Sequence, residues 1–181
     1  MSRQIGLTER LRAVKVLALD VDGVLTDGRI YVADNGDQIR AFDVKDGTGI
    51  VWLLRCGIRV AILSGECREA VRIRAERLGI GTVLLGYKDK YTGFCDLLAA
   101  ERVKAAEVCY VGDDAPDAPV MRAAGVGVAV ADATSMALAS ADWVTKRPGG
   151  RGAVREVAER ILRVQGFWPA VEQRYAGFGG A

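Results

Sequence analysis

A short apolar run that ends in paired acids is the feature that most constrains the fold of this chain. Residues 14–19 are aliphatic apart from Lys15 and form a run too short for a typical helix. Asp20, Val21, Asp22 and Gly23 follow directly. Such a run is typical of a strand that is buried on both faces of a parallel sheet. Open α/β sheets bind ligands beyond the carboxyl ends of their strands, and both acids fall there.

The two acids point to function because their placement is costly. Carboxylates one residue apart at the end of a buried strand need a cation or a proton to compensate them. The structural alternative is that Asp20 or Asp22 only caps the following turn.

The composition excludes several kinds of site. The chain contains no histidine, which rules out a Ser-His-Asp triad, a His-ligated metal and a His phosphocarrier. Its four cysteines form no C-x-x-C pair, which argues against a zinc site and a disulfide framework. Any bound metal is therefore expected to be a hard cation held by oxygen ligands.

Length and charge indicate one compact domain and give no sign of a nucleic-acid or membrane partner. The 181 residues, half of them apolar, can bury one core. The net charge of +2 comes without a basic block, so nucleic acid is not an expected partner. No apolar run approaches about 18 residues, so neither secretion nor a membrane span is indicated, and a cytoplasmic protein is expected.

Strand and helix patterns alternate along the rest of the chain. Further strands are predicted at residues 58–63, 82–85, 107–111, 126–130 and 142–144, and helices at 48–55, 67–78, 91–102, 134–140 and 153–164, with another ending near residue 124. This alternation predicts a doubly wound, Rossmann-like parallel sheet. Two short strand-like runs at 29–33 and 38–42 flank an Asn-Gly pair, which predicts a β-hairpin flap.

Two later elements could contact a phosphate. Ser64 and Gly65 lie between a predicted strand and a helix, where a hydroxyl, backbone N–H groups and a helix N-terminus can face an anion. The alternative is that Ser64 only caps the helix. Lys90 begins the next helix, where a cation opposes the helix dipole and an anionic partner would explain its placement.

A second acidic strand end follows residue 111. Asp113, Asp114 and Asp117 repeat the arrangement at Asp20, which predicts a hard-cation site. Mg²⁺ typically uses one or two protein carboxylates together with water and a substrate phosphate. Asp117 has an alternative role as a helix cap.

These motifs carry a family resemblance. The segment Asp20-Val-Asp-Gly-Val-Leu-Thr resembles the first motif of the haloacid dehalogenase superfamily, and Ser64, Lys90 and the Gly-Asp-Asp of residues 112–114 follow in the superfamily's order. Over residues 14–164 the chain is similar to the small, capless 3-deoxy-2-ulosonate phosphate phosphatases, typified by 3-deoxy-D-manno-octulosonate (KDO) 8-phosphate phosphatase. The resemblance implies a Mg²⁺-dependent homotetramer that acts on a phosphorylated sugar acid and has no cap domain.

The resemblance also implies residue roles. Asp20 would be the nucleophile and Asp22 the general acid/base, since one carboxyl cannot do both jobs. Metal ligands would be Asp20, Asp113 and the backbone carbonyl of Asp22, while Ser64 and Lys90 would stabilise the phosphate. Substrate contacts are expected at Asp43, Val44, Lys45, Asp46, Gly47, Gly65, Glu66, Arg74 and Arg77.

The substrate stays open between eight and nine carbons. KDO 8-phosphate phosphatases resemble each other in having Arg where this chain has Val51 and Glu66. Related enzymes for 2-keto-3-deoxynononate (KDN) 9-phosphate resemble this chain at Glu66 and carry a basic residue near Arg77. The Gly-Gly-Arg-Gly of residues 149–152 resembles the eight-carbon enzymes instead. Because a cation and a carboxylate are not interchangeable partners of a sugar acid, this difference bears on specificity.

Two other function classes compete with a phosphatase. A signalling receiver domain also combines acids, Ser/Thr and Lys on a parallel sheet, but its phosphoacceptor Asp follows the third strand, where this chain has none. The other alternative is a regulatory partner without catalytic activity. The chain has every acidic and basic residue that the phosphatase roles require, which argues against this alternative.

The two ends of the chain lie outside the motifs. Residues 1–13 are expected to form a short helix or leader, and residues 1–164 a single domain. Residues 165–181 are rich in Gly and aromatic side chains, including Phe178. Free aromatic side chains would expose apolar surface, so this tail is expected to dock on its own domain or on a neighbouring subunit.

Overall fold

Six parallel strands form the centre of the molecule in a computed structural model that describes residues 6–176. The eight strands of the structure are β1 (Val16–Leu19), β2 (Tyr31–Val32), β3 (Gln38–Ile39), β4 (Arg59–Ser64), β5 (Thr82–Leu85), β6 (Val108–Gly112), β7 (Val126–Ala129) and β8 (Trp143–Val144). The main sheet has the order β5-β4-β1-β6-β7-β8, with every neighbouring pair parallel. The predicted doubly wound parallel sheet is confirmed.

Helices connect these strands. They are α1 (Leu7–Arg12), α2 (Val44–Arg55), α3 (Glu69–Leu78), α4 (Lys90–Glu101), α5 (Ala118–Ala123), α6 (Ser135–Ser140), α7 (Ala153–Val164) and α8 (Trp168–Ala176). Short 3-10 turns at Ala105–Glu107 and Ala115–Asp117 flank β6.

The sheet is covered on both faces, and the side-chain alternation of β1 shows how. Leu17 and Leu19 belong to a core with α1, α2, α3, α7 and α8, whereas Val16 and Ala18 belong to a core with α4, α5 and α6. Successive residues of a strand point to opposite faces, so a strand that is apolar throughout requires helices on both sides. All four β1 residues are fully buried.

A two-stranded antiparallel hairpin, β2 and β3, lies between β1 and α2. Its strands are shorter than the runs at 29–33 and 38–42 predicted for them. Three of its apolar side chains are exposed, those of Tyr31, Val32 and Ile39. The hairpin therefore presents apolar surface beside the carboxyl end of β1.

Helix α2 begins earlier than predicted, at Val44 and not at Thr48. The Asp43 carboxylate accepts a hydrogen bond from the Lys45 N–H at 2.6 Å and so caps the helix. Glycine weakens a helix on its own, yet Gly47 and Gly49 are helical here. An added Cβ on Gly49 would press against Arg155 and Ala158, so the close packing of α2 on α7 overrides the local preference.

Helix α8 packs against α2 and α7 through aromatic side chains. The centroid of the Trp52 ring lies 5.7 Å from that of the Trp168 ring and 5.8 Å from that of the Tyr175 ring. Trp52 Nε1 also donates a hydrogen bond to the Tyr175 hydroxyl. The part of the tail that includes Phe178, like the first five residues of the expected N-terminal helix or leader, lies outside the described residues. Within residues 6–176, no helix has the length and apolar character needed to cross a bilayer.

Candidate active site

The ends of β1, β4 and β6 bring the predicted functional residues to one edge of the sheet. Strand β1 lies between β4 and β6, so the chain winds outward in both directions from it. Such a switch point leaves a crevice at the carboxyl ends of the strands. Asp20 follows β1, Ser64 ends β4 and Asp113 follows β6. The three therefore surround the crevice.

Three carboxylates meet at this edge. Oxygens of Asp20, Asp113 and Asp117 lie within 4.8 Å of one another. Burial, with the charge of Asp117 added, raises the pKa of Asp20 to about 7. Burial and the charges of Asp20 and Asp117 raise the pKa of Asp113 to about 8. The protein alone therefore leaves negative charge in the cluster incompletely compensated.

Asp117 differs from the other two because protein donors occupy both of its oxygens. Oδ1 accepts from Lys90 Nζ at 2.7 Å and from the Tyr110 hydroxyl at 2.6 Å. Oδ2 accepts from the N–H groups of Asp113 and Asp114 at 3.1 and 3.2 Å. A carboxylate has about four acceptor positions, so Asp117 is saturated. It orients Lys90 and closes the 3-10 turn at Ala115–Asp117. Its side chain makes no capping hydrogen bond to α5, so the capping role considered for it is wrong.

Lys90 lies between two of the acids. Its Nζ is 2.8 Å from Asp20 Oδ1 and 2.7 Å from Asp117 Oδ1, and the side chain is 7% exposed. Burial alone would lower the pKa of Lys90, but the charges of Asp20 and Asp117 outweigh it and raise the pKa. Lys90 is therefore a charged ammonium at the crevice, and its position at the start of α4 is explained by these anionic partners.

Gly23 makes room for Asp113. Its φ of +91° suits glycine, and an added Cβ would collide with Asp113 Oδ2. An added Cβ on Gly149 would in turn collide with the carbonyl oxygen of Gly23. The Gly-Gly-Arg-Gly segment at 149–152 thus supports the loop that follows the first pair of acids.

A cavity of about 320 Å³ opens at these side chains. Its walls include nine of the predicted site residues: Asp20, Asp22, Ser64, Gly65, Glu66, Lys90, Asp113, Asp114 and Asp117. Ser64 is 3% exposed, and its Oγ accepts a hydrogen bond from the Glu66 N–H at 3.2 Å. The cavity therefore combines acids, a hydroxyl and an ammonium, the groups that phosphoryl transfer uses.

The donor set fits a hard divalent cation. Asp20 and Asp113 offer carboxylate oxygens that hard cations prefer, and their raised pKa values show charge that a cation would compensate. Asp117 belongs to the cluster, but its protein donors leave it little capacity to act as a ligand. The Asp22 carboxylate is paired with Arg40, and metal contact through the Asp22 backbone carbonyl stays a prediction.

Comparisons with known proteins agree with this geometry. A sequence profile of haloacid dehalogenase-like hydrolases matches residues 61–156. The chain is 46% identical over 153 residues to the 3-deoxy-D-manno-octulosonate 8-phosphate phosphatase of Escherichia coli strain K12, which spans 84% of this chain and 81% of that protein. The chain belongs to the KDO 8-phosphate phosphatase family of haloacid dehalogenase-like hydrolases. The resemblance drawn from the motifs is confirmed, and the chain is a phosphomonoesterase.

Solved structures of family members superpose closely. A probable YrbI family phosphatase from Pseudomonas syringae has a TM-score of 0.92 and 42% identity, covering 97% of this chain and 98% of that one. The KDO 8-phosphate phosphatase of Moraxella catarrhalis, in complex with magnesium ion, phosphate ion and KDO, has a TM-score of 0.91 and 36% identity, covering 93% and 97%. The receiver and regulatory alternatives are not favoured.

Most of the predicted substrate residues from α2 and α3 lie away from this cavity. Val44, Gly47 and Arg74 line a separate depression of about 290 Å³ beside Trp52 and Tyr175. The Arg74 guanidinium carbon lies over the Phe42 ring, 5.8 Å from its centroid, and Arg74 Nη2 donates to the Asp43 carbonyl oxygen at 3.5 Å. Lys45 and Arg77 are exposed. A substrate role for these residues stays a prediction, with Asp43 itself engaged as the cap of α2.

Asp46 is the predicted substrate residue whose geometry differs most from that role. It is 1% exposed, and its carboxylate accepts hydrogen bonds from the N–H groups of Gly152 at 3.2 Å and Arg155 at 2.8 Å. The carboxylate therefore faces the start of α7 and not the solvent. We reassign Asp46 to capping this helix, a role that suits an acid at a helix N-terminus.

Other residues at the site escaped the sequence analysis. Tyr87 and Lys88 line the cavity, and Lys88 Nζ lies 2.7 Å from Glu66 Oε1. Tyr110 reaches Asp117 from inside the core, and Arg40 holds Asp22. Strand β6 is apolar and buried along its whole length, which indicates that Tyr110 is buried, and a buried tyrosine needs a hydroxyl partner. Arg40, in contrast, resembles any other charged residue of a hairpin.

Proposed function

We propose that this phosphatase hydrolyses the terminal phosphate of a 3-deoxy-2-ulosonic acid phosphate, KDO 8-phosphate or KDN/sialic acid 9-phosphate, with Mg²⁺ as its metal. The observation that carries this proposal is the meeting of Asp20 and Asp113 with Ser64 and Lys90 around one cavity. The relatives named as KDO 8-phosphate phosphatases favour the eight-carbon substrate.

The proposed reaction has two steps. The Asp20 carboxylate attacks phosphorus and forms an aspartyl phosphate, while Asp22 donates a proton to the departing sugar oxygen. Asp22 then takes a proton from water, which attacks the phosphorus, releases inorganic phosphate and restores Asp20. Lys90 and Ser64 stabilise the phosphoryl oxygens. Mg²⁺, when held by Asp20, Asp113 and the Asp22 carbonyl, supplies positive charge against the transferring phosphoryl group.

Phosphate release from the two sugar-acid phosphates tests this proposal. We expect turnover with Mg²⁺, loss of turnover in EDTA, and recovery on adding Mg²⁺ back. The variant Asp20→Asn should lose on the order of 10⁴-fold in kcat, by analogy with other nucleophile knockouts. Asp34→Asn, an exposed acid of the hairpin, is the matched control. Retained turnover in Asp20→Asn, or in EDTA, contradicts the mechanism.

The intermediate has its own test. Borohydride reduction of an aspartyl phosphate converts the side chain to homoserine, which mass spectrometry of peptides would locate at position 20. Labelling elsewhere would move the nucleophile away from Asp20.

Glu66 offers the test of substrate length. Its carboxylate lies at the cavity wall and pairs with Lys88 at 2.7 Å and with Arg68 at 3.5 Å. The variant Glu66→Arg reverses the charge there, so we expect the ratio of kcat/KM for the eight-carbon over the nine-carbon substrate to rise. An unchanged ratio would remove Glu66 from substrate selection.

We also propose that residues 1–164 form a single cytoplasmic phosphatase domain, that residues 165–181 are a docking tail, and that the protein is a homotetramer. The exposed Tyr31, Val32 and Ile39 of the hairpin support self-association, because monomers rarely expose adjoining apolar side chains of this size. Light scattering during gel filtration should give four times the mass of the 19.4 kDa chain. A monomeric mass would contradict the tetramer.

A further inference from the structure

Arg40 is buried in a hairpin that is otherwise mostly exposed. Its side chain is 1% exposed, although Ile39, directly before it at the end of β3, is 62% exposed. A guanidinium is almost never buried without a partner, because removing its charge from water costs several kcal/mol. The hairpin therefore directs this one cation inward.

The partner of Arg40 is the Asp22 carboxylate. Arg40 Nε donates to Asp22 Oδ1 at 2.6 Å, and Arg40 Nη2 donates to Asp22 Oδ2 at 3.3 Å. Two parallel hydrogen bonds from a planar guanidinium fix both the position and the plane of a carboxylate, which the point charge of a lysine does not do. Nη1 contacts Gln38 Oε1 at 3.5 Å, which ties the guanidinium back to its own strand.

The two side chains differ in their access to the cavity. Asp22 lines the cavity and its side chain is 25% exposed. The near-complete burial of Arg40 keeps its guanidinium behind Asp22 and out of reach of a bound substrate. Arg40 can therefore act on the reaction only through Asp22.

We infer that Arg40 is a positioning residue that holds Asp22 in the orientation needed to pass a proton to the departing oxygen. This inference rests on the proposed role of Asp22. Proton transfer requires the carboxyl within about 3 Å of the oxygen, and a misplacement of about 1 Å can cost on the order of 10²-fold in rate. The hairpin thereby becomes part of the catalytic geometry without touching the substrate.

Leaving-group dependence separates this role from a structural one. An alkyl phosphate, such as a sugar-acid phosphate, needs a proton on its departing alkoxide, whereas p-nitrophenyl phosphate releases a stable phenolate. Asp22 also activates water in the second step, which both substrates share, so kcat/KM is the quantity that reports proton transfer to the departing oxygen alone. In Arg40→Met we expect kcat/KM for the alkyl substrate to fall on the order of 10²-fold and kcat/KM for the aryl substrate by less than about 3-fold. Arg40→Lys should recover part of the alkyl rate.

Comparing two substrates on one variant cancels the fraction of enzyme that folds. Arg29→Met, an exposed cation before β2, is the control and should leave the ratio unchanged. Asp22→Asn should show the same selective loss, and the double variant should lose no more than Asp22→Asn alone.

Other outcomes overturn the inference. Equal losses of kcat/KM on both substrates would assign Arg40 to hairpin structure. Additive losses in the double variant would show that Arg40 acts independently of Asp22. Should the wild type hydrolyse p-nitrophenyl phosphate but neither sugar-acid phosphate, the proposed substrate fails, and another alkyl phosphate that the enzyme hydrolyses then tests Arg40.

Discussion

Asp46 and the pair of Asp20 and Asp113 are buried or half-buried acids, but they differ in what compensates them. Backbone N–H groups at the start of α7 hydrogen-bond the Asp46 carboxylate. Asp20 and Asp113 instead face each other and Asp117, and this repulsion adds to burial in raising their pKa values. Acids that the protein compensates from within are structural, whereas those left with uncompensated charge are suited to a cation and a substrate.

Asp117 is the strongest test of this comparison, because it lies in the acidic cluster with Asp20 and Asp113 but is compensated as fully as Asp46. The variant Asp117→Ala leaves the buried Tyr110 hydroxyl without its acceptor and Lys90 with one acid in place of two. We expect a loss of about 3–5 kcal/mol in the free energy of unfolding, measured by urea denaturation. Asp114→Ala, on the exposed side of the same loop, should cost less than about 1 kcal/mol. Similar losses would refute the structural role of Asp117.

Asp46 itself provides the purely structural case. In Asp46→Ala two N–H groups at the start of α7 lose their acceptor, so we expect a loss of about 2 kcal/mol in the free energy of unfolding. Asp46→Asn keeps an acceptor oxygen and should lose about half as much. Catalytic rates per folded molecule should not change. A selective fall in kcat/KM for the sugar-acid substrate would return Asp46 to substrate binding.

The pH dependence of stability distinguishes the two regions further. A carboxyl whose pKa is raised by folding stabilises the protein fully below its unfolded value, near 3.8, and this stability is lost as pH rises through the folded value. For Asp20 and Asp113 the folded values are about 7 and about 8, so the stability of the metal-free protein should fall as pH rises from 5 to 8.

Adding Mg²⁺ identifies which acids cause this loss of stability at higher pH. Burial also raises the pKa of Asp46, against the hydrogen bonds from Arg155 and Gly152. The Asp46 carboxylate is hydrogen-bonded to the start of α7, so Mg²⁺ should not change the contribution of Asp46 to this loss of stability. Mg²⁺ should remove the contribution of Asp20 and Asp113. Urea denaturation at each pH, in EDTA and in excess Mg²⁺, measures both. An equal fall in the two conditions would refute metal binding by the pair.

The same difference explains what could be predicted from the sequence. Asp20, Ser64 and Asp113 were found because each follows a buried parallel strand, and the carboxyl ends of such strands share one edge. Lys90 stood out because its local position is unfavourable without an anion. These signals are local, and topology then brings the residues together.

The roles of Asp46 and Arg40 depend on contacts that no local pattern encodes. The bonds of Asp46 join residues 106 and 109 positions apart, and those of Arg40 join residues 18 positions apart. Asp46 belongs to a segment that resembles the family's substrate loop, and that resemblance does not show which way its carboxylate points. The start of α2 was missed for a similar reason, since tertiary packing against α7 outweighs the two glycines.

Asp20→Asn gives the smallest expected effect on stability and the one with an unusual sign. An amide of the same shape removes one charge from the repelling pair, so we expect metal-free Asp20→Asn to be more stable than the wild type by about 1 kcal/mol at pH 8. At pH 5 the wild-type Asp20 is already protonated, given its pKa of about 7, and the gain should vanish. Asp46→Asn, which lacks repelling neighbours of this kind, should lose stability at both pH values. A loss in Asp20→Asn at pH 8 would mean that the Lys90 ion pair outweighs the repulsion, and that the acids at this edge are compensated from within after all.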